Sequence, residues 1–228
     1  STVALDGVDL EVWRGELVCV VGASGCGKST LLNLVAGLDA PSRGSVAVDG
    51  RCALMFQESA LFPWLTAAEN VALPMRLAGV GREERRARAD ELLSAVHLAG
   101  QGDRRPHELS GGMRQRVALA RALAQDVDIL LMDEPFGALD AMTRDLLHDE
   151  LERLWKERGL TILFVTHNVR EASRLGDRIV LLTSRPGRVA ATFDVPLPRP
   201  RRIEAPDVSA VAAEVTARLR EEVVRHAR

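Results

Sequence analysis

The chain reads as an α/β fold with a parallel core sheet, and three stretches carry that expectation. Leu17-Val18-Cys19-Val20-Val21 and Ile129-Leu130-Leu131-Met132 have the continuous hydrophobicity of strands buried on both faces, and Thr161 to Thr166 is a third β run. The first run enters a glycine loop, Gly22-Ala23-Ser24-Gly25-Cys26-Gly27-Lys28-Ser29-Thr30, which opens a helix through Leu31, Leu32, Leu34 and Val35. The second ends in Asp133-Glu134, at the end of a strand where open α/β sheets bind their ligands.

Composition bounds what this fold can do. With 228 residues, 46% of them hydrophobic and 27% charged, the chain can bury one sizeable core as a single domain of two lobes. A net charge of −2 supplies no global basic field, so nucleic acid is not an expected partner, and Arg82 to Arg88 alternate with Glu83 and Glu84 as a solvated helix face does. No apolar run approaches the ~18 residues of a membrane span and no secretory leader is evident, so a membrane role requires partner subunits. Cys19, Cys26 and Cys52 show neither metal-ligand spacing nor an even disulfide framework, which points to the reducing cytosol; the five histidines form no metal pattern.

In chain order, Val8, Leu10 and Val12 alternate with Asp9 and Glu11, the period of a half-exposed strand that Trp13 closes. Val46-Ala47-Val48 ends at Asp49-Gly50, so a small antiparallel sheet is expected beside the parallel core. From Met55 to Gln125 the character becomes helical, punctuated by Pro63 and Pro74, with Ala89, Leu92, Leu93 and Val96 on one face of a helix over Arg82 to Leu98. Thr143 to Arg158 reads as a helix burying Leu147, Leu151 and Leu154, with Asp149/Arg153 and Glu152/Lys156 pairs outside and Gly159 as its stop. After Pro196, Pro198 and Pro200, an extended linker leads to an amphipathic helix (Val208, Val211, Ala212, Val215, Leu219, Val223) that is expected to dock on its own domain. The predicted boundaries are 1–56 and 127–195 for the core, 57–126 for the helical subdomain, and 196–228 for linker and terminal helix.

The loop from Gly22 to Thr30 carries the chemistry. Gly22, Gly25 and Gly27 let backbone N–H groups form a concave nest for phosphate oxygens at a helix N-terminus. Lys28 is placed to reach β- and γ-phosphates, and Ser29 to ligate Mg²⁺. An ordinary βα turn explains the glycines but not Gly27-Lys28-Ser29 at this spacing. The Cys26 thiol, near a helix N-terminus and a lysine, is expected to favour thiolate and to be protected from alkylation by MgATP. In Leu109-Ser110-Gly111-Gly112-Met113-Arg114-Gln115, Ser110 is an N-cap, and the two glycines read equally as a second anion site or as a plain capped helix after a glycine loop. Asp133 is expected in the Mg²⁺ shell, with Glu134 polarising the attacking water. His167 follows the third β run; alone, it would be read as structural.

The order of GASGCGKST, Gln57, LSGGMRQ, ILLMDE, Ala138-Leu139-Asp140 and His167 resembles the nucleotide-binding subunit of an ABC transporter, over nearly all of residues 4 to 195. LSGGMRQ is specific to that superfamily. FQESALFPWLTAAENVALP, DEPFGALDAMTR and ILFVTHNVREASRLGDRIVLLTSRPGRV are most similar to importers of nitrate, taurine, alkanesulfonates and related small molecules. The resemblance implies a P-loop ATPase working as a head-to-tail homodimer on the inner face of the membrane, beneath permease subunits and a substrate-binding protein, with ATP and Mg²⁺. It implies that Gln57 contacts Mg²⁺ or water, that His167 contacts the γ-phosphate, that Ser110, Gly111 and Gly112 approach the nucleotide held by the opposite subunit, and that Asp140 crosses the dimer interface. Ala60 to Asn70 resembles the surface that receives the permease, although Phe62 and Trp64 read equally as core.

The chain departs from the family at three points. The family stacks adenine on an aromatic just before the first strand; this chain has no tyrosine, begins at Ser1 without an initiator Met, and carries Trp13 too late to serve. The stacking residue is therefore expected upstream of Ser1 or lost, and ATP binding by this chain to be weak and poorly base-selective. Only five residues separate Gly50 from Phe56, fewer than in similar importers, and the tail is short. An ABC exporter subunit is the nearer alternative. Soluble ABC proteins of translation carry two cassettes, and those of DNA repair insert long heptads; this chain shows one cassette and no sustained heptads between Lys28 and Ser110.

Overall fold

A computed structural model describes residues 3–137 and 139–226; Ser1 and Ala138, the latter in the turn expected over Gly137 to Asp140, lie outside them. The strands are β1 (Leu17–Gly22), β2 (Cys52–Met55), β3 (Ile129–Asp133), β4 (Thr161–Val165), β5 (Arg178–Leu182) and β6 (Val189–Asp194), in the spatial order β2-β3-β4-β1-β5-β6. Every neighbouring pair is parallel except β5 with β6. The continuous apolar runs become the interior strands because both faces of the sheet are covered: Leu17, Cys19 and Val21 of β1 face one core, Val18 and Val20 the other.

One layer is thin. Helix α1 (Lys28–Val35) packs its Leu31 and Leu32 on the sheet beside Leu5, Val8, Leu10 and Val12 of the N-terminal segment. The opposite layer is deep and contains α2 (Ala67–Leu77), α3 (Arg82–Ala95), α4 (Gly111–Leu123), α5 (Ala141–Arg158), α6 (Val169–Leu175) and α7 (Pro206–His226). Ala89, Leu92, Leu93 and Val96 of the α3 region are buried there as their spacing predicted, as are Leu147, Leu151 and Leu154 of α5. Burying Val208, Ala212 and Val215 docks α7 on this same layer, against α6. Among the described residues no helix is long and apolar enough to cross a membrane.

The antiparallel part of the sheet is not where the alternation placed it. Val8 to Val12 and Val46 to Val48 carry no strand, and the antiparallel pairing is the β5–β6 hairpin. The alternating burial of Val8, Leu10 and Val12 is real, but it arises from packing on the thin core; Val46 and Val48 are exposed. The short segment after Gly50 builds the sheet's outer strand instead of a longer turn: Gly50 takes φ 135°, Arg51 N–H donates to Asp128 Oδ2 at 2.9 Å, and β2 pairs directly with β3.

Two further local expectations are not met. Pro74 lies inside α2 and does not divide it. That helix starts on a reciprocal cap, Glu69 N–H to Thr66 Oγ1 at 3.2 Å and Thr66 N–H to Glu69 Oε2 at 2.8 Å. On α5, Glu152 and Lys156 pair at 2.8 Å as expected, but Arg153 bonds Glu157 at 2.6 Å and Glu150, because Asp149 is taken by Arg174 at 2.5 Å from α6. Asp140 caps the start of α5, accepting from Thr143 N–H at 2.9 Å, and Gly159 ends it at φ 62°.

Candidate functional site

The glycine loop closes between the end of β1 and the start of α1. Gly25 at φ 76° and Gly27 at φ 100° occupy the left-handed region, and a Cβ on Gly27 would lie 2.6 Å from Leu5 Cδ2, so side chains are excluded there by both torsion and space. Lys28 is only 6% exposed, and its Nζ donates to Gly22 O at 2.9 Å and Ala23 O at 3.1 Å. The ammonium is thus held over the loop by neutral carbonyls, which a phosphate, carrying charge, can outcompete.

A cavity of about 450 Å³ opens on this loop. Ser24, Gly25, Gly27, Lys28, Ser29 and Thr30 line one side; Gln57, Asp133 and Glu134 line the other. Elements far apart in sequence therefore converge, because β2 and β3 are adjacent and parallel and end at the same edge as β1. Ser29, Gln57 and Asp133 offer a hydroxyl, an amide oxygen and a carboxylate, a donor set of hard oxygens that fits Mg²⁺.

Glu134 and His167 form a pair at one side of this cavity. Glu134 takes φ 43°, unusual for a residue with a side chain, and its N–H donates to Val165 O at 2.9 Å. Its Oε2 lies 2.8 Å from His167 Nδ1, and since a carboxylate only accepts, the imidazole donates. Gly137 lies beside the pair: a Cβ there would sit at ordinary contact distance, 3.9 Å, from both Glu134 Oε2 and His167 Cε1.

Behind His167 runs a buried polar chain that the sequence reading missed. Thr166 Oγ1 donates to Glu171 and accepts from Asn168 N–H at 3.0 Å, which fixes the turn on both sides of His167. Glu171 accepts from Nε2 of the fully buried His148 at 2.7 Å, and His148 Nδ1 accepts from Arg174 at 2.9 Å.

The remaining predicted residues lie elsewhere in the protomer. Ser110 caps α4, accepting from Met113 N–H at 3.2 Å. A Cβ on Gly112 would meet Thr143 Cγ2 at 2.6 Å, so that glycine has a packing reason; one on Gly111 would meet nothing closer than 3.9 Å. Ser110 to Gly112 thus stand beside the start of α5, where Asp140 is the cap, and none of these residues lines the cavity. Hydrogen bonds from Thr143, through its side chain and its amide, hold the Asp140 carboxyl below its ordinary value. Trp13 is 67% exposed and does not line the cavity either.

Cys26 corrects an expectation. Its side chain is 1% exposed and points into the thin core under Gly22, whose Cβ would lie 2.7 Å from the sulfur. The backbone of Cys26 belongs to the nest, but its thiol does not face the cavity. Alkylation of the native protein is therefore expected to leave Cys26 unmodified with or without MgATP, and intact mass after brief maleimide treatment checks this. Fast, nucleotide-protected labelling of Cys26 would contradict the inward orientation.

Comparisons with known proteins agree with this geometry. The ABC transporter family pattern matches residues 5–137. The taurine import ATP-binding protein TauB of Mesorhizobium japonicum is 52% identical over 199 residues, 84% of this chain and 77% of that protein. The bicarbonate transport ATP-binding protein CmpC of Synechocystis is 45% identical over 228 residues, 93% of this chain but 34% of its own length. Among solved structures, the dimeric post-hydrolysis state of the ATP-binding cassette MJ0796, bound to ADP and Pi, superposes with a TM-score of 0.77 at 38% identity, covering 84% of this chain and 90% of that one.

Proposed function

The chain belongs to the family of ABC transporter ATP-binding proteins and is an ATPase; from that premise we propose that it energises an importer of small solutes such as nitrate, sulfonates or taurine. The observation that carries the site assignment is the convergence of Lys28, Ser29, Gln57, Asp133 and Glu134 on one cavity, with His167 bonded to Glu134.

Lys28 leaves the carbonyls of Gly22 and Ala23 for the β- and γ-phosphates, which the amides of the loop receive. Ser29, Gln57 and Asp133 would hold Mg²⁺, which when bound would offset phosphate charge. Glu134 accepts the proton of the attacking water, oriented for that task by its bond to His167. Ser110 to Gly112, remote from the cavity of their own protomer, complete the site of a second copy, and Asp140 lies at the same face. Nucleotide binding closes this dimer and hydrolysis reopens it, moving permease subunits that dock at Ala60 to Asn70 and receive solute from a binding protein. The exposure of Trp64, in ring contact with Phe62 at 5.4 Å, supports a docking role there.

The test is reconstitution. With its permease and binding protein in liposomes, the chain is expected to drive ATP-dependent uptake of taurine, nitrate or an alkanesulfonate in the importing direction. ATP-dependent movement the other way would establish an exporter, and ATP hydrolysis without uptake of any of the three would overturn the solute class.

A further inference from the structure

Resting on the nucleotide site proposed above, we infer that Arg185 is a further nucleotide-binding residue, contacting the polyphosphate of the bound triphosphate from the tip of the β5–β6 hairpin. Arg185 is an exposed side chain far from the loop in sequence, yet its Nε donates to Gly25 O at 2.9 Å, and it lines the same cavity as Lys28, Ser29, Asp133 and Glu134. Its guanidinium turns an edge toward the glycine: a Cβ on Gly25 would be 2.9 Å from one terminal nitrogen, 3.3 Å from Nε and 3.5 Å from the central carbon. What keeps Gly25 bare is its φ of 76°; the cation beside it is the end of a flexible side chain that can shift.

Charge balance gives this cation work to do. Without it, and before Mg²⁺ is bound, the titratable side chains lining the cavity are one ammonium, Lys28, and two carboxylates, Asp133 and Glu134, an excess of negative charge facing an anionic ligand. Arg185 removes that excess. Its hydrogen bond uses one of five N–H donors and anchors the group at the loop's rim, leaving the terminal nitrogens to receive phosphate oxygens in the forked geometry that guanidinium suits. The hairpin is held in place independently: Gly187 N–H donates to Ala4 O at 2.9 Å, Asp6 N–H to Gly187 O at 2.9 Å, and Thr183 Oγ1 to Pro186 O at 2.8 Å. The terminal nitrogens of Arg185 can therefore turn to phosphate while the hairpin turn stays in place.

The experiment titrates MgATP and magnesium tripolyphosphate, at two salt concentrations, against wild type, Arg185→Ala, Arg185→Lys and Lys28→Ala. Arg185→Ala is expected to weaken both ligands by roughly tenfold and to flatten the salt dependence, with Arg185→Lys partly restored. Weakening of MgATP alone would place Arg185 on the base or ribose and overturn a polyphosphate contact. Unchanged affinity for both would leave Arg185 a tie between hairpin and loop, and would equally overturn it. Lys28→Ala separates this inference from the site it rests on: if that variant binds both ligands like wild type, the loop itself is not the phosphate site.

Discussion

Glu134→Gln is expected to stop turnover while MgATP remains bound. The substitution keeps the shape of the side chain and an oxygen that can still accept from His167, but it removes the basic group; a positioned general base contributes about 10² to 10⁴ in rate. Lys28 and the loop amides are untouched, and the positive φ of residue 134 asks no more of glutamine than of glutamate. The measurement is kcat at saturating MgATP, paired with size-exclusion chromatography to detect an ATP-trapped dimer. A variant hydrolysing at the wild-type rate would remove Glu134 from its assigned role.

The second large effect divides the site between subunits. Lys28→Ala deletes the only lysine at the cavity and is expected to abolish tight triphosphate binding to the monomer. Ser110→Arg is expected to leave monomer binding nearly intact yet prevent closure and hydrolysis, because Ser110 does not line its own protomer's cavity. Loss of the Ser110 cap on α4 costs about 1 kcal/mol, too little to unfold the subdomain. In a mixed dimer of the two variants, one composite site carries both lesions and the other neither, so recovery of activity on mixing demonstrates action in trans. If Ser110→Arg abolished monomer binding as fully as Lys28→Ala, the assignment of Ser110 to the opposite subunit would be wrong.

Two of the failed local expectations, the strand at Val8 to Val12 and the outward Cys26 thiol, share a cause. Alternation at Val8 to Val12 records which side chains are buried, and a loop lying on a core buries every second residue as a strand does. The Cys26 thiol was expected to face nucleotide because its neighbours in sequence do, but in a loop with left-handed glycines on both sides successive side chains need not share a face. Gly112 was open to reading as a phosphate approach; its contact with Thr143 across the α4–α5 boundary is an independent demand for the same residue.

By itself the sequence determined the parallel core, the glycine loop, the capped helices and the candidate residues at strand ends, since buried runs, glycines before a lysine and N-cap side chains act through near neighbours in the chain. Only the tertiary structure decided that Gln57 and Asp133 share a cavity with Lys28, that Glu134 is bonded to His167, that His148, Glu171 and Thr166 brace that turn, and that Arg185 lies on Gly25. Each of these joins residues brought together by strand order and hairpin closure. Which strands become neighbours is settled by burying both faces of one sheet at once, a condition on the whole chain that no local window contains.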